Sequence, residues 1–74
     1  MTLQQLGNEL NKMYTDAPEK GAVTAIHLFG IKYAKEINEL GASKKDVAQA
    51  AGIPESYGTE IGKGVRLAEY VTLK

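Results

Sequence analysis

The chain has no cysteine, no tryptophan, one histidine, one phenylalanine and only two prolines in 74 residues. Without cysteine there is no disulfide and no thiolate-based metal site. One histidine cannot furnish a two-histidine ligand set. No apolar run approaches the roughly 18 residues that a membrane-spanning helix needs. Neither sign of charge is in excess, since nine Lys and Arg balance nine Asp and Glu. The N-terminus shows no basic stretch followed by an apolar core, so no secretory signal is read there. With cysteine also absent, a cytoplasmic location is expected. A chain of this length buries only about 60% of its unfolded surface and leaves little room for a deep catalytic pocket.

What is present is an ordinary globular mix, 43% hydrophobic and 24% charged. No repeat or linker interrupts it, which reads as one domain over residues 1–74. Apolar residues recur at helical rather than strand spacing, and the expected class is all-α with four helices. The first runs from about 2 to 14, capped by Thr2, with Leu3, Leu6, Leu10 and Met13 on one stripe. The second is expected to open at Asp16, with Pro18 in its first turn and Glu19 in capping-box position, and to run to Leu40. Its stripe is Ala22, Ile26, Phe29, Tyr33, Ile37 and Leu40, widened by Val23, Ala25, Leu28, Ile31 and Ala34. So apolar a helix is expected to be buried on several sides, with Gly30 marking close approach of another helix. Gly41 reads as its stop.

The third helix is short, capped by Ser43 and ended by Gly52. The fourth starts at Ile53-Pro54 and runs to about Val71, with Tyr57, Ile61, Gly64, Val65 and Ala68 facing inward. Gly58, Gly62 and Gly64 each weaken a helix by roughly 1 kcal/mol relative to Ala. Either this helix is compressed against a neighbour there, or it breaks near Gly62–Gly64. The tail Tyr70-Val71-Thr72-Leu73 has β-propensity and is open to forming a short strand.

The informative stretch is Ser43 to Ile61. Val47 and Ala48 would face the next helix, and the Ala is small where two helices cross. Gly52 supplies a left-handed turn residue. Ile53 plugs the corner, and Ile61, nine residues after Gly52, packs back on the preceding helix. With Ala51, this pattern resembles the helix-turn-helix class. The resemblance covers about 20 residues and implies that the last two helices form the motif. Two features depart from the class pattern. Gly58 stands where an apolar packing residue is usual, and Glu55 and Glu60 fall where such helices commonly carry polar or basic groups.

The resemblance implies binding to double-stranded DNA, and with it transcription regulation. The residues placed to serve it are Lys44, Lys45, Ser56, Thr59, Lys63 and Arg66. Lys44 and Lys45 open the first motif helix, which approaches phosphates in this geometry, while Thr59, Lys63 and Arg66 share one face of the second. A solvated face with Glu60–Lys63 and Arg66–Glu69 pairs at spacing three reads the same residues without DNA. The charge is spread evenly: residues 1–41 hold four Lys against five acids, and residues 42–74 five cations against four acids. A protein-interaction module that keeps the helix pair is therefore the alternative function. A positive outer face over residues 55–69 favours DNA, and a mixed or apolar one favours a protein partner.

Small residues four apart, Gly58 and Gly62, permit close helix approach within the chain or to a second copy in a homodimer. Tyr57 reads as a core residue with its hydroxyl at the rim. His27 has no nucleophile placed beside it by any motif and reads as a structural residue. Gly62-Lys63-Gly64 is too short for a phosphate loop and follows no strand. No catalysis, cofactor or metal is expected.

Overall fold

A computed structural model describes residues 1–73. It is all-helical among those residues, with five α-helices: α1 (Leu3–Asp16), α2 (Ala22–Lys32), α3 (Ala34–Leu40), α4 (Lys44–Ala51) and α5 (Gly58–Leu67). A single 3₁₀ turn, Glu55–Tyr57, leads into α5. None of these helices is long and apolar enough to cross a membrane.

Local sequence explains most helix ends. Thr2 and Gln5 form a reciprocal capping box on α1. The Ser43 hydroxyl accepts from the Asp46 amide at 3.0 Å. Gly41 and Gly52 close α3 and α4 in the left-handed region, at φ 75° and 76°. After α4 the Ile53 amide returns to the Ala48 carbonyl (3.1 Å) and the Gly52 amide to that of Gln49 (3.0 Å). That pairing satisfies carbonyls the helix end would orphan.

Four helices are expected from sequence and five form: at one place a boundary is shifted, and at another the long second helix is divided. The first is Asp16-Ala17-Pro18. Asp16 is the last residue of α1 rather than the cap of α2. Pro18 forces the residue before it out of the helical region, and Ala17 is extended at φ −67°, ψ 145°. Pro18 thus ends one helix instead of starting the next. A tight turn follows, closed by the Gly21 amide on the Pro18 carbonyl at 2.7 Å. The second place is Tyr33, at φ −111°, ψ 19°, which separates α2 from α3. The bend takes Ile37 fully into the core and leaves Leu40 exposed, so the long stripe is not continuous.

The core joins Leu6 and Leu10 of α1, Ile26 and Phe29 of α2, Ile37 of α3, Val47, Ala48 and Ala51 of α4, Ile53, and Ile61 of α5. The most extensive helix contact is between α2 and α5, followed by α1 with α4. Both are backbone-close crossings. A Cβ on Gly30 would lie 2.6 Å from the Ile61 carbonyl oxygen and 2.8 Å from Gly64 Cα. A Cβ on Gly7 would lie 2.6 Å from the Ala50 carbonyl oxygen. Gly58 and Gly64 of α5 therefore mark compression, while Gly62 faces open space, and the helix runs unbroken through Gly62–Gly64.

α2 is buried on several sides, against α1 and α5, with Val23 and Leu28 left exposed. One other expectation is corrected. The tail forms no strand. Turns continue through Tyr70, closed by the Val71 amide on the Leu67 carbonyl at 3.0 Å, and residues 71–73 are irregular. A strand needs a partner, and no other described segment is extended enough to supply one.

Candidate functional site

Helices α4 and α5, joined through the left-handed Gly52 and the 3₁₀ turn, form the helix-turn-helix pair. Val47, Ala48, Ala51, Ile53 and Ile61 are all buried where the motif needs them. The departure at Gly58 has a steric reason. A Cβ there would sit 3.0 Å from the Lys45 backbone nitrogen and 3.2 Å from the Lys44 carbonyl carbon. The start of α5 lies directly on the start of α4, and a larger side chain would push them apart.

The turn is also held from outside the motif. Asn11 of α1 donates its side-chain amide to the Ala51 carbonyl at 2.9 Å. Tyr57 is half-buried, its ring 5.9 Å from that of Tyr14. The Tyr57 hydroxyl raises the pKa of Tyr14 above 10.0, first as a hydrogen-bond partner that favours the neutral phenol and second by charge repulsion. Tyr57 is thus a packing residue at the α1 end of the motif.

The six candidate residues fall around the outward strip of α5. Thr59, Lys63 and Arg66 are exposed along it, and Ser56 is exposed in the 3₁₀ turn that leads into it. Lys44 flanks the strip on one side, in a groove shared with Asn38, Gly62, Arg66 and Glu69. Gly62 keeps that groove open, since the nearest atom to a Cβ there would be Lys44 Cγ at 4.0 Å. On the other flank, His27 of α2 lines a shallow depression with Lys63, Arg66, Leu67 and Tyr70. Arg66 belongs to both sides.

The four cations divide into two classes. The ion pairs among the described residues are Lys12–Glu9, His27–Glu60, Lys45–Glu55 and Lys63–Glu60. Lys45 is 3.5 Å from Glu55, a carboxylate that also accepts from the Gln49 side chain. Lys63 is 3.3 Å from Glu60. Lys44 and Arg66 belong to none of these pairs. The Glu60–Lys63 pair was expected from spacing. The Arg66–Glu69 pair expected from spacing is not among these ion pairs.

The residue that sequence reasoning missed as a partner is His27. Its Nε2 lies 2.7 Å from Glu60 Oε1, across 33 residues of chain. Glu60 thus binds His27 with one oxygen and Lys63 with the other. Its pKa lies below the ordinary 4.5, chiefly through the His27 hydrogen bond, with burial opposing and Lys63 adding to the lowering. No local signal joins the two residues. His27 was legible only as a polar residue between the apolar Ile26 and Leu28.

Comparison with known proteins gives the same architecture. The family model described as an HTH-like domain matches residues 2–74, and the chain belongs to that family. No curated protein and no solved structure matches it significantly.

Proposed function

We propose that this HTH-like domain is a non-catalytic module that binds double-stranded DNA with the outward strip of α5 in the major groove. The observation that carries this reading is the row Thr59, Lys63 and Arg66, exposed along one side of the second motif helix, with Ser56 exposed in the 3₁₀ turn before it and Lys44 beside it. In a helix-turn-helix the second helix meets base edges while the start of the first approaches the phosphates. The Ser56 and Thr59 hydroxyls can donate or accept. The Arg66 guanidinium fits a phosphate or a guanine edge with two parallel bonds. Lys44 supplies a phosphate contact without first giving up a carboxylate.

Lys45 and Lys63 contribute less, since each already faces an acid. Exposed ion pairs are worth only about 0–1 kcal/mol, so exchange of carboxylate for phosphate is cheap. Two to four phosphate contacts give a log–log salt slope of about −2 to −4. The reading therefore expects weak, strongly salt-dependent binding. The test is an NMR titration of labelled protein with a mixed-sequence duplex at low and then higher salt. Shifts at Lys44, Lys45 and residues 55–66 that fade as salt rises are expected. The double substitution Lys63→Glu, Arg66→Glu abolishes them with little change in melting temperature. Unchanged binding in that variant overturns the assignment.

A second reading, a protein-interaction module, is favoured by one observation: the outer face is mixed rather than uniformly positive. Glu55 and Glu60 each hold a lysine, and the exposed Leu67 and Tyr70 adjoin the strip. Absence of any shift with DNA at low salt would move the search to a protein partner.

A further inference from the structure

Glu60 is the anomaly of the proposed interface, an acid on the helix assigned to DNA. Its side chain is turned toward α2, where His27 Nε2 meets Oε1 at 2.7 Å. An ionised carboxylate only accepts hydrogen bonds, so Nε2 carries the proton of this contact. The remaining ring nitrogen, Nδ1, is then the one that gains or loses a proton. The hydrogen bond survives on both sides of that titration, and only the charge of the imidazole changes. The charged and titratable groups facing His27 come from α5 and the turn after it: Glu60, Lys63, Arg66 and the Tyr70 phenol. The charged residues of α1 nearest α2, namely Glu9, Lys12 and Asp16, gather around Leu28 in a separate depression.

On the DNA-binding reading above, we infer that His27 is a positioning residue of the interface that withdraws Glu60 from the DNA and, when protonated, tightens binding. In the neutral state it holds Glu60 against α2. In the protonated state it also balances the Glu60 charge, which leaves Lys63 to a phosphate. Histidine is the side-chain type whose charge ordinarily changes between about pH 5 and 8.

The experiment measures the affinity of the full chain for a mixed-sequence duplex at pH about 8 and about 5.5, at fixed low salt. Wild type is expected to bind about fivefold tighter at the lower pH, as one added charge near the phosphates would give. Its log–log salt slope should steepen by up to about 0.9 there, the increment of one phosphate contact. His27→Gln keeps a donor but cannot become charged, so the change with pH should vanish, which also subtracts any effect of the α-amino group. His27→Leu releases Glu60 and should bind more weakly than His27→Gln at pH about 8. Glu60→Gln should bind more tightly than wild type, with the pH dependence reduced. A merely structural histidine would move melting temperature but not this pattern. Equal pH dependence in wild type and His27→Gln overturns the inference and leaves DNA binding standing. No binding by wild type at either pH overturns the DNA reading and this inference with it.

Discussion

The α4–α5 turn and the α2–α5 seam meet on the same helix but are held in different ways. The turn is built from near neighbours: a Ser43 cap, a left-handed Gly52, and Ile53 whose amide returns to Ala48. The seam is built from residues more than 30 apart, Gly30 against Gly64 and His27 against Glu60. In the turn, glycine is needed for its backbone angle. In the seam, glycine is needed for the space its missing side chain leaves. One residue type serves two physical ends, and substitution to alanine separates them.

The seam should be the less forgiving. Gly30→Ala sets a methyl 2.6 Å from a backbone oxygen that cannot move without shifting α5. A gain of roughly 1 kcal/mol in helix propensity does not offset that overlap. The expected net loss is about 3 kcal/mol in denaturant unfolding. A variant as stable as wild type would show that the two helices slide apart freely. At the turn, Gly52→Ala meets no atom within 4 Å but keeps a φ of 76°. The expected loss is about 1 kcal/mol, the strain of one left-handed residue. A loss as large as that at Gly30 would erase the distinction between angle and space.

Gly62 is the control on the same helix, half-buried and outside the seam, with right-handed backbone and open space beside it. Gly62→Ala should raise the unfolding free energy by about 0.5–1 kcal/mol. Destabilisation there would mean that the Lys44–Arg66 groove is tighter than its open geometry. The smallest effect concerns acid. Because folding lowers the Glu60 pKa, the stability it adds is present above 4.5 and is lost as pH falls through the lower folded value. Glu60→Gln should lower the melting temperature slightly in the neutral range, converge with wild type in strong acid, and so flatten the acid limb below pH 4.5. An acid limb of the same steepness would assign that loss to other carboxylates.

The legibility of each region follows from the same difference. Thr2, Ser43, Gly41 and Gly52 were readable as helix ends because caps and left-handed stops act within four residues of chain. The helix-turn-helix pair was readable because its small and apolar positions are fixed by one crossing of adjacent helices. The bend at Tyr33 was not, since neither proline nor glycine occupies it and its effect is to deliver Ile37 to a distant core. Pro18 was read in the wrong direction, because a proline that opens one helix and one that ends another look alike until the preceding stripe is seen to continue through Tyr14. The Glu60–Lys63 pair could be read from spacing. Lys45–Glu55, Asn11–Ala51 and His27–Glu60 could not, because nothing local brings their partners together.

The sequence by itself determined an all-helical class, the turn between α4 and α5, and the row of exposed residues on α5. These rest on short-range rules of helix capping, left-handed glycine and 3.6-residue periodicity. Only the tertiary structure decided which of four similar cations are paired and which side of α5 its acid faces. It also decided that Gly58 and Gly64 mark close approach of a neighbouring helix and that α5 does not break at its glycines. Those outcomes depend on distances between backbones that the chain brings together only when the core of Leu6, Ile26, Phe29, Val47 and Ile61 closes.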